Sequence, residues 1–293
     1  MTDLVKAAPH IRMHRGQIFV IKAGGGTITR TASMRAFARQ VAVVQALGSR
    51  IVVVHGGGPQ TDALQRLFGE EPRMVDGRRV TSPLALRALR LATGGEVNSD
   101  LTAALIAEGV PALGLGGGGV LTADRRPPVV TSEGMVDYGE VGDLKGVDAA
   151  ALNALLDAGR VPVVSPPAGD GRGNFLNVNA DLAAAQIALA LGAAKLVLVT
   201  GAPGVLRDPK DMSSLVSALS LPALVELEKS GALQGGMKVK AAAIKKALEG
   251  GVGRVHVVSG SDPEALLNEL YTNHGAGTLV TREPEKAPQA VTV

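Results

Sequence analysis

Four groups of residues could do chemistry together. Lys22 ends the apolar run IFVIK (18–22) and is followed at once by Ala23 and three glycines. A second apolar run, VVVH, ends in HGGGP (55–59). Asn177, Asn179 and Asp181 alternate in NVNAD, just before an alanine-rich stretch. Gly235 and Gly236 precede MKVK, which places Lys240 in the first turn of a helical pattern.

Glycine turns of this kind have two readings. Glycine tolerates positive φ and close approach, so such a turn can simply let a helix pack against a strand. Its successive main-chain N–H groups can also cradle an anion, helped by the following helix N-terminus. For one turn the two readings balance; two turns at the ends of consecutive predicted strands favour an oxyanion site. A lysine beside such donors sits where a transferring phosphoryl group gathers negative charge. Strands also end in lysine merely to reach water. Asp181 reads either as a charge or cap at a helix N-terminus or as a carboxylate orienting two lysines and relieving their repulsion. Asn177 and Asn179 read as turn residues, or Asn177 as a hydrogen-bond partner of substrate. Lys245 and Lys246 read as solvated helix lysines, whereas Lys240 lies beside the paired glycines.

Several chemistries are excluded. No G-x-x-x-x-G-K-[ST] occurs, which argues against a P-loop, and the first strand lacks the G-x-G-x-x-G turn of a dinucleotide site. There is no cysteine, hence no thiol chemistry and no disulfide, as suits a reducing compartment. The five histidines share no metal-ligand spacing: His55 and His256 read as packed or hydrogen-bonded near strand ends, His10 and His274 as surface residues. No protein metal site is expected.

The elements that must position these groups follow from the hydropathy pattern. Strand-like runs at 18–22, 51–55, 161–165, 195–200 and 254–258 alternate with helical patterns at about 32–47, 84–108, 148–158, 180–192, 237–249 and 263–271. Such alternation predicts an α/β fold, a three-layer αβα sandwich around a central, mainly parallel open sheet. Ligands bind at the carboxyl ends of the strands in such sheets. Glycine-rich turns are expected there at 22–26, 55–59, 114–119 and 200–204, and hairpins or small antiparallel additions at 71–83 and 119–146. With 46% apolar residues but only 2% aromatic, the core must be built from Val, Leu, Ile and Ala. A net charge of +3 without a basic, aromatic-lined face argues against nucleic-acid binding. No run approaches the about 20 apolar residues that span a bilayer, so a soluble, cytoplasmic protein without membrane partners is expected.

The constellation resembles the N-acetyl-L-glutamate kinases of the amino acid kinase superfamily, from about Phe19 to Val280. VIKAGGG, VVVHGGGPQ, GRRVTSP, GEVNSDL, GDLKGVD, NVNAD, PGVL, GGMKVKAAA, GGVGRVHVVSG and HGAGTLV follow one another in the family's order. The resemblance implies transfer of the γ-phosphoryl of ATP, carried with Mg²⁺, to the γ-carboxylate of N-acetyl-L-glutamate in arginine biosynthesis. It implies that Lys22 and Lys240 are catalytic, held by Asp181. Gly24, Gly25, Gly57 and Gly58 would cradle phosphate and substrate carboxylate. Arg79 would clamp the α-carboxylate and Asn177 would bind beside it. Gly201, Gly204, Gly235, Gly236 and Met237 would hold nucleotide.

The implied organisation is an N-terminal helical extension (1–17), an acyl-amino-acid lobe (18–193), a nucleotide lobe (194–282) and a loose tail (283–293). The implied assembly is a homodimer, with a hexamer through the N-terminal helix as the larger form. The sequence departs from the family pattern at Glu96, at 116–119 and at Gly201. A kinase of another acylated acidic amino acid (N-succinylglutamate, N-acetylaminoadipate or a carrier-linked substrate) is the nearest alternative. A non-catalytic arginine or nucleotide sensor is the alternative from another class.

Overall fold

A computed structural model describes residues 4–284. Its centre is an eight-stranded sheet: β1 (Ile18–Ala23), β2 (Arg50–His55), β3 (Ala112–Gly116), β4 (Val161–Ser165), β5 (Lys195–Thr200), β6 (Ala218–Ser220), β7 (Arg254–Ser259) and β8 (Thr278–Thr281). The strand order is β6-β8-β7-β5-β1-β2-β4-β3. Every pairing is parallel except β7 with β8. Around the sheet lie helices α1 (Leu4–His14), α2 (Thr31–Ala46), α3 (Gly58–Leu67), α4 (Pro83–Leu89), α5 (Asn98–Ala107), α6 (Ala149–Asp157), α7 (Ala180–Ala190), α8 (Leu221–Lys229), α9 (Gly236–Glu249) and α10 (Ala265–Tyr271).

The period of two along each strand sorts side chains between two cores. Val20, Val52, Val54, Leu196, Leu198 and Val257 face α6, α7, α8 and α9, whose Leu152, Ile187, Leu224 and Ile244 are buried against them. Phe19, Ile21, Ile51, Val53, Val197 and Val199 face α2, α5 and α10, meeting Phe37, Leu101 and Leu266. Each such side chain taken fully out of water contributes about 1.5–3 kcal/mol. Lys22 has the parity of Val20 and so points toward α7 and α9; His55 has the parity of Val53 and points toward α5. The central strands β1, β2 and β5 thus end together on one edge, with Lys22 level with Val54 and Leu198.

Three features differ from the expectations. Residues 114–116 belong to edge strand β3 and only 117–119 form the turn. Gly114 and Gly116 conceal the strand pattern, yet a Cβ on Gly114 would stand 3.0 Å from Thr102 Oγ1, so the strand needs glycine there. The helix expected over 84–108 is broken by a π-helical segment, Arg90–Val97. Its Thr93 hydroxyl donates to Leu89 O at 2.7 Å and lies 2.6 Å from Pro166 O, while Gly94 and Gly95 lower the cost of the wider turn. Strands β6 and β8 and helix α8 extend the sheet beyond the five runs read from hydropathy.

The two irregular segments are antiparallel, as expected: a hairpin of Arg73–Val75 with Arg78–Val80, another of Val129–Thr131 with Gly134–Val136, and Leu121–Arg125 paired with Gly142–Val147. α1 covers most of the expected extension and docks through buried Ala7 and His14. Of the tail, residues 285–293 lie outside the described residues. No described helix is long and apolar enough to cross a membrane.

Candidate functional site

Lys22, Asp181 and Lys240 meet because three elements point at one spot. β1 delivers Lys22 toward α7, and α7 begins with Asn179 as its cap: the Asn179 side-chain oxygen accepts from the N–H groups of Asp181 and Leu182 at 2.9 and 3.1 Å. Asp181 is thereby freed from capping and lies in the first helical turn, where a carboxylate is favoured. Its Oδ1 lies 2.8 Å from Lys22 Nζ and its Oδ2 3.1 Å from Lys240 Nζ, from the first turns of α9. Lys22 and Asp181 are buried. Burial pushes the Asp181 carboxyl up, but the two ammonium groups outweigh it and hold the carboxyl below its ordinary range. For Lys22, burial lowers the pKa, Asp181 opposes, and Lys240 adds to the lowering; the net direction is down. Two lysines on one carboxylate leave one positive charge in excess, at the wall of a cleft of about 390 Å³.

The glycine turns form the adjoining wall. Among the described residues the N–H groups of Gly25, Gly57 and Gly58 have no main-chain partner. Gly57 caps α3 without a side chain, and Pro59 follows in the first turn, so the helix start presents bare donors. The two turns pack main chain on main chain: a Cβ on Gly25 would stand 3.0 Å from Gly58 N and 3.1 Å from Gly57 N. A Cβ on Gly57 would meet Thr93 Cγ2 at 2.6 Å, so the π-helical segment supports the turn from behind. His55 adds a second support from the opposite face of the sheet. Its Nδ1–H donates to Gly56 O at 2.9 Å and its Nε2 accepts from Asn98 Nδ2 at 3.0 Å. This pattern requires the neutral ring, in keeping with a pKa lowered to about 4 by burial.

Gly25→Ala is expected to lower kcat/KM at least tenfold, because the new methyl group covers the Gly57 and Gly58 donors. Melting temperature should fall as well, since the methyl would stand 3.0 Å from Gly58 N and 3.1 Å from Gly57 N and Pro59 Cδ, so the two packed turns must give. Steady-state kinetics beside a thermal melt check this.

The far side of the cleft is built by the first hairpin. Asp76 and Gly77 take φ of 46° and 74°, the two positive values a tight Asp-Gly hairpin turn requires. Arg79 donates to Gln65 Oε1 at 2.9 Å and is ion-paired with Asp62, both on α3. Asn177 Nδ2 donates to Thr81 Oγ1 at 2.9 Å, which ties it to the base of the same hairpin. At the hairpin's tip a Cβ on Gly77 would lie 3.2 Å from Gly235 O, so this turn touches the chain that starts α9.

The structure therefore brings Lys22, Gly25, Gly57, Gly58, Arg79, Asn177 and Asp181 to one cleft, with Lys240 reached through Asp181. The other glycines stand differently. Gly24 donates its N–H to Val199 O at 2.9 Å, so that donor is engaged in the sheet. Gly204 is buried beside β8, and the neighbouring Val205 N–H donates to Thr278 Oγ1 at 2.8 Å, so this glycine packs. Gly201, Gly235 and Gly236 are exposed and Met237 is half-buried; none of the four lines the cleft itself.

Lys245 pairs with Glu228, but Lys246 borders the cleft, contrary to its reading as a solvated lysine. His256 is buried, 2.7 Å from Glu269 through Nδ1, and His274 is exposed. His10 is half-buried rather than on the surface, because its Nε2 meets Asn273 at 3.0 Å. Sequence reasoning missed Asp62, Gln65, Thr93 and Asn98, which brace the site from behind. Only the Thr-Gly-Gly run hinted at the irregular helix.

Residues 17–259 match the model of the amino acid kinase family. The chain is 44% identical over 290 residues to an acetylglutamate kinase of Myxococcus xanthus, covering 96% of this chain and 94% of that one. It is 37% identical over 282 residues to an acetylglutamate kinase of Archaeoglobus fulgidus, covering 94% and 97%. Among solved structures, the N-acetylglutamate synthase of Neisseria gonorrhoeae complexed with coenzyme A and N-acetyl-glutamate superposes with a TM-score of 0.84 at 30% identity; the match covers 96% of this chain but 63% of the synthase. A carbamate kinase of Giardia lamblia bound to AMP-PNP shares the fold, with a TM-score of 0.68 at 17% identity over 92% of this chain and 99% of that one. With matches of this extent, the chain belongs to the amino acid kinase family.

Proposed function

We propose that this protein is the ATP-dependent kinase of N-acetyl-L-glutamate in arginine biosynthesis, forming N-acetyl-L-glutamyl 5-phosphate. The observation that carries the reading is the buried carboxylate of Asp181 held between Lys22 and Lys240, beside the bare donors of Gly25, Gly57 and Gly58. End-to-end similarity to acetylglutamate kinases supports the acceptor. In the reaction a γ-carboxylate oxygen attacks the γ-phosphorus of ATP while the bond to the β–γ bridging oxygen breaks and ADP leaves. The acceptor is already an anion, so no protein base or covalent intermediate is required. The barrier lies in bringing anions into line, and positioning plus positive charge lower it.

Lys22 and Lys240 act on the transferring group, and Asp181 keeps the two ammonium groups fixed before ATP arrives. The Gly25, Gly57 and Gly58 N–H groups receive phosphate and carboxylate oxygens. Arg79, braced by α3, receives the α-carboxylate as a fork, with Asn177 beside it. Gly201, Gly235, Gly236 and Met237 border the nucleotide side, with Gly204 packed against Thr278 and Gly24 serving the turn through its sheet bond. Magnesium enters as MgATP: both Asp181 oxygens are occupied by ammonium groups, and among the described residues no three His, Asp or Glu gather into a metal site. Residues 18–193 form the acceptor lobe and 194–282 the nucleotide lobe of one shared sheet. We place the protein in the cytoplasm as a homodimer. The α1 extension, with Leu4 and Met13 exposed, links dimers into a hexamer; light scattering of the purified protein tests that assembly.

The test is a hydroxylamine trap with MgATP, run with and without arginine. Hydroxamate should form with N-acetyl-L-glutamate, and more slowly with N-succinylglutamate or N-acetylaminoadipate. Faster turnover of another acylated acid would replace the acceptor. ATP binding without hydroxamate from any of them would favour a sensor.

A further inference from the structure

The proposed kinase site contains two consecutive arginines, and the hairpin separates them. Arg79 stands opposite Met74 in the ladder and Arg78 opposite Val75. Neighbours along a strand leave opposite faces. Arg79 therefore turns toward α3, where Asp62 and Gln65 engage it. Arg78 shares the face of Val75, which is buried against Val136, Tyr138 and Val141. Both arginines border the cleft.

The charges at this end do not cancel. Arg126, near enough to Arg78 to disfavour its charge, is ion-paired with Asp143, its Nε 3.0 Å from Oδ1; Asp143 favours the Arg78 charge, but less than Arg126 disfavours it. Asp62 serves Arg79 and Asp143 serves Arg126. Arg78 is half-buried, and among the described residues its side chain has no ion pair or hydrogen bond. Three guanidinium groups thus face two carboxylates. A half-buried cation without a partner is unfavourable in the empty protein. It becomes favourable when a ligand brings the missing anion, and a guanidinium suits a carboxylate's two oxygens. The opposite end, with Lys22 and Lys240 on Asp181, also carries excess positive charge. A cleft positive at both ends matches a ligand with a carboxylate at each end.

We propose that Arg78 is an acceptor-specificity residue: with Arg79 it grips the non-reacting carboxylate of an acylated diacid, and it supplies the uncompensated charge there. This rests on the reading of the cleft as the acceptor site. Arg79 is the braced member of the pair, and Arg78 is the member whose charge the ligand neutralises.

The test compares wild type with Arg78→Gln and Arg78→Lys, each verified by thermal melt, on two acceptors. These are N-acetyl-L-glutamate and its α-carboxamide, N-acetyl-L-isoglutamine. Arg78→Gln should raise KM for N-acetyl-L-glutamate about tenfold or more, as loss of one charged hydrogen bond implies. KM for ATP should stay within about twofold, and Arg78→Lys should fall between wild type and Gln. For the α-carboxamide, wild type and Arg78→Gln should have the same KM, because the anion is gone. An unchanged KM for N-acetyl-L-glutamate, an equal penalty on both acceptors, or a parallel rise in KM for ATP would overturn the proposal. Calorimetric binding of N-acetyl-L-glutamate separates this from the kinase reading. If wild type binds the acid but does not phosphorylate it, the kinase reading fails while an affinity loss in Arg78→Gln still supports Arg78. If wild type does not bind it, both fail.

Discussion

Lys22→Ala is expected to reduce kcat about 10²–10³-fold, the usual loss when one preorganised charge-stabilising group is removed from a transition state. KM values for ATP and acceptor should move far less, because main-chain donors, Arg79 and Asn177 remain. The fold should survive. Breaking a buried ion pair costs about 3–5 kcal/mol when it strands a charge, but here Asp181 keeps Lys240 at 3.1 Å. Lys22→Arg should not rescue turnover, since a larger, planar group cannot occupy the buried volume of the ammonium beside Asp181. The hydroxamate assay and a thermal melt together decide the matter. A folded Lys22→Ala protein with kcat within threefold of wild type would remove Lys22 from the chemistry.

Asp181→Asn should cost nearly as much activity and should also change its pH dependence. In the proposed transfer Lys22 must be protonated to stabilise the moving phosphoryl group. Its pKa is lowered by burial and by Lys240, with Asp181 the opposing influence. In wild type the alkaline fall in kcat/KM for ATP, which titrates the free enzyme, should therefore lie below the ordinary lysine value of 10.5. Removing the carboxylate charge deletes the opposing influence, so in Asp181→Asn the fall should move to still lower pH.

Stability should follow from the same groups. The folded pKa of Asp181 is depressed below its ordinary 3.8. Its stabilising contribution is therefore present above 3.8 and lost as pH falls through the lower folded value. Asp181→Asn should be less stable than wild type at neutral pH, by as much as about 3–5 kcal/mol, with the gap narrowing in strong acid. Lys22 acts in the opposite sense. Its lowered folded pKa opposes folding while it is charged, and that opposition fades as pH rises from the folded value toward 10.5. Urea titrations at acid, neutral and alkaline pH, with profiles of kcat/KM for ATP against pH, check both effects. An alkaline limb in Asp181→Asn at or above that of wild type would contradict the assigned coupling.

The central strands were legible because each is a short run of β-branched residues buried on both faces, bounded by glycine or proline. Side-chain period then placed Lys22 on the face of α7 and α9. β3 was not legible, since Gly114 and Gly116 remove the apolar signal that the other strands carry. The π-helical segment was not legible either: its cause is a Thr93 contact with Pro166, 73 residues away. The braces of the site share that property. Arg79 is held by Asp62 and Gln65 only because the hairpin folds back over α3. His55 reaches Asn98 only because α5 packs on the face of the sheet toward which His55 points. Such partners have no characteristic spacing in sequence, whereas glycine turns and strand ends do.

The close approach of Gly77 to Gly235 gives the proposed acceptor and nucleotide sides a route for coupling, and any such coupling is reciprocal. A ligand that stiffens the hairpin also braces the start of α9, so whatever factor N-acetyl-L-glutamate adds to ATP affinity, ATP must return to N-acetyl-L-glutamate. A side chain introduced at Gly77, whose Cβ would stand 3.2 Å from Gly235 O, should weaken that mutual gain while leaving each ligand's solo affinity closer to wild type. Productive turnover would then depend on which ligands are present together rather than on either alone, which guards ATP against idle hydrolysis.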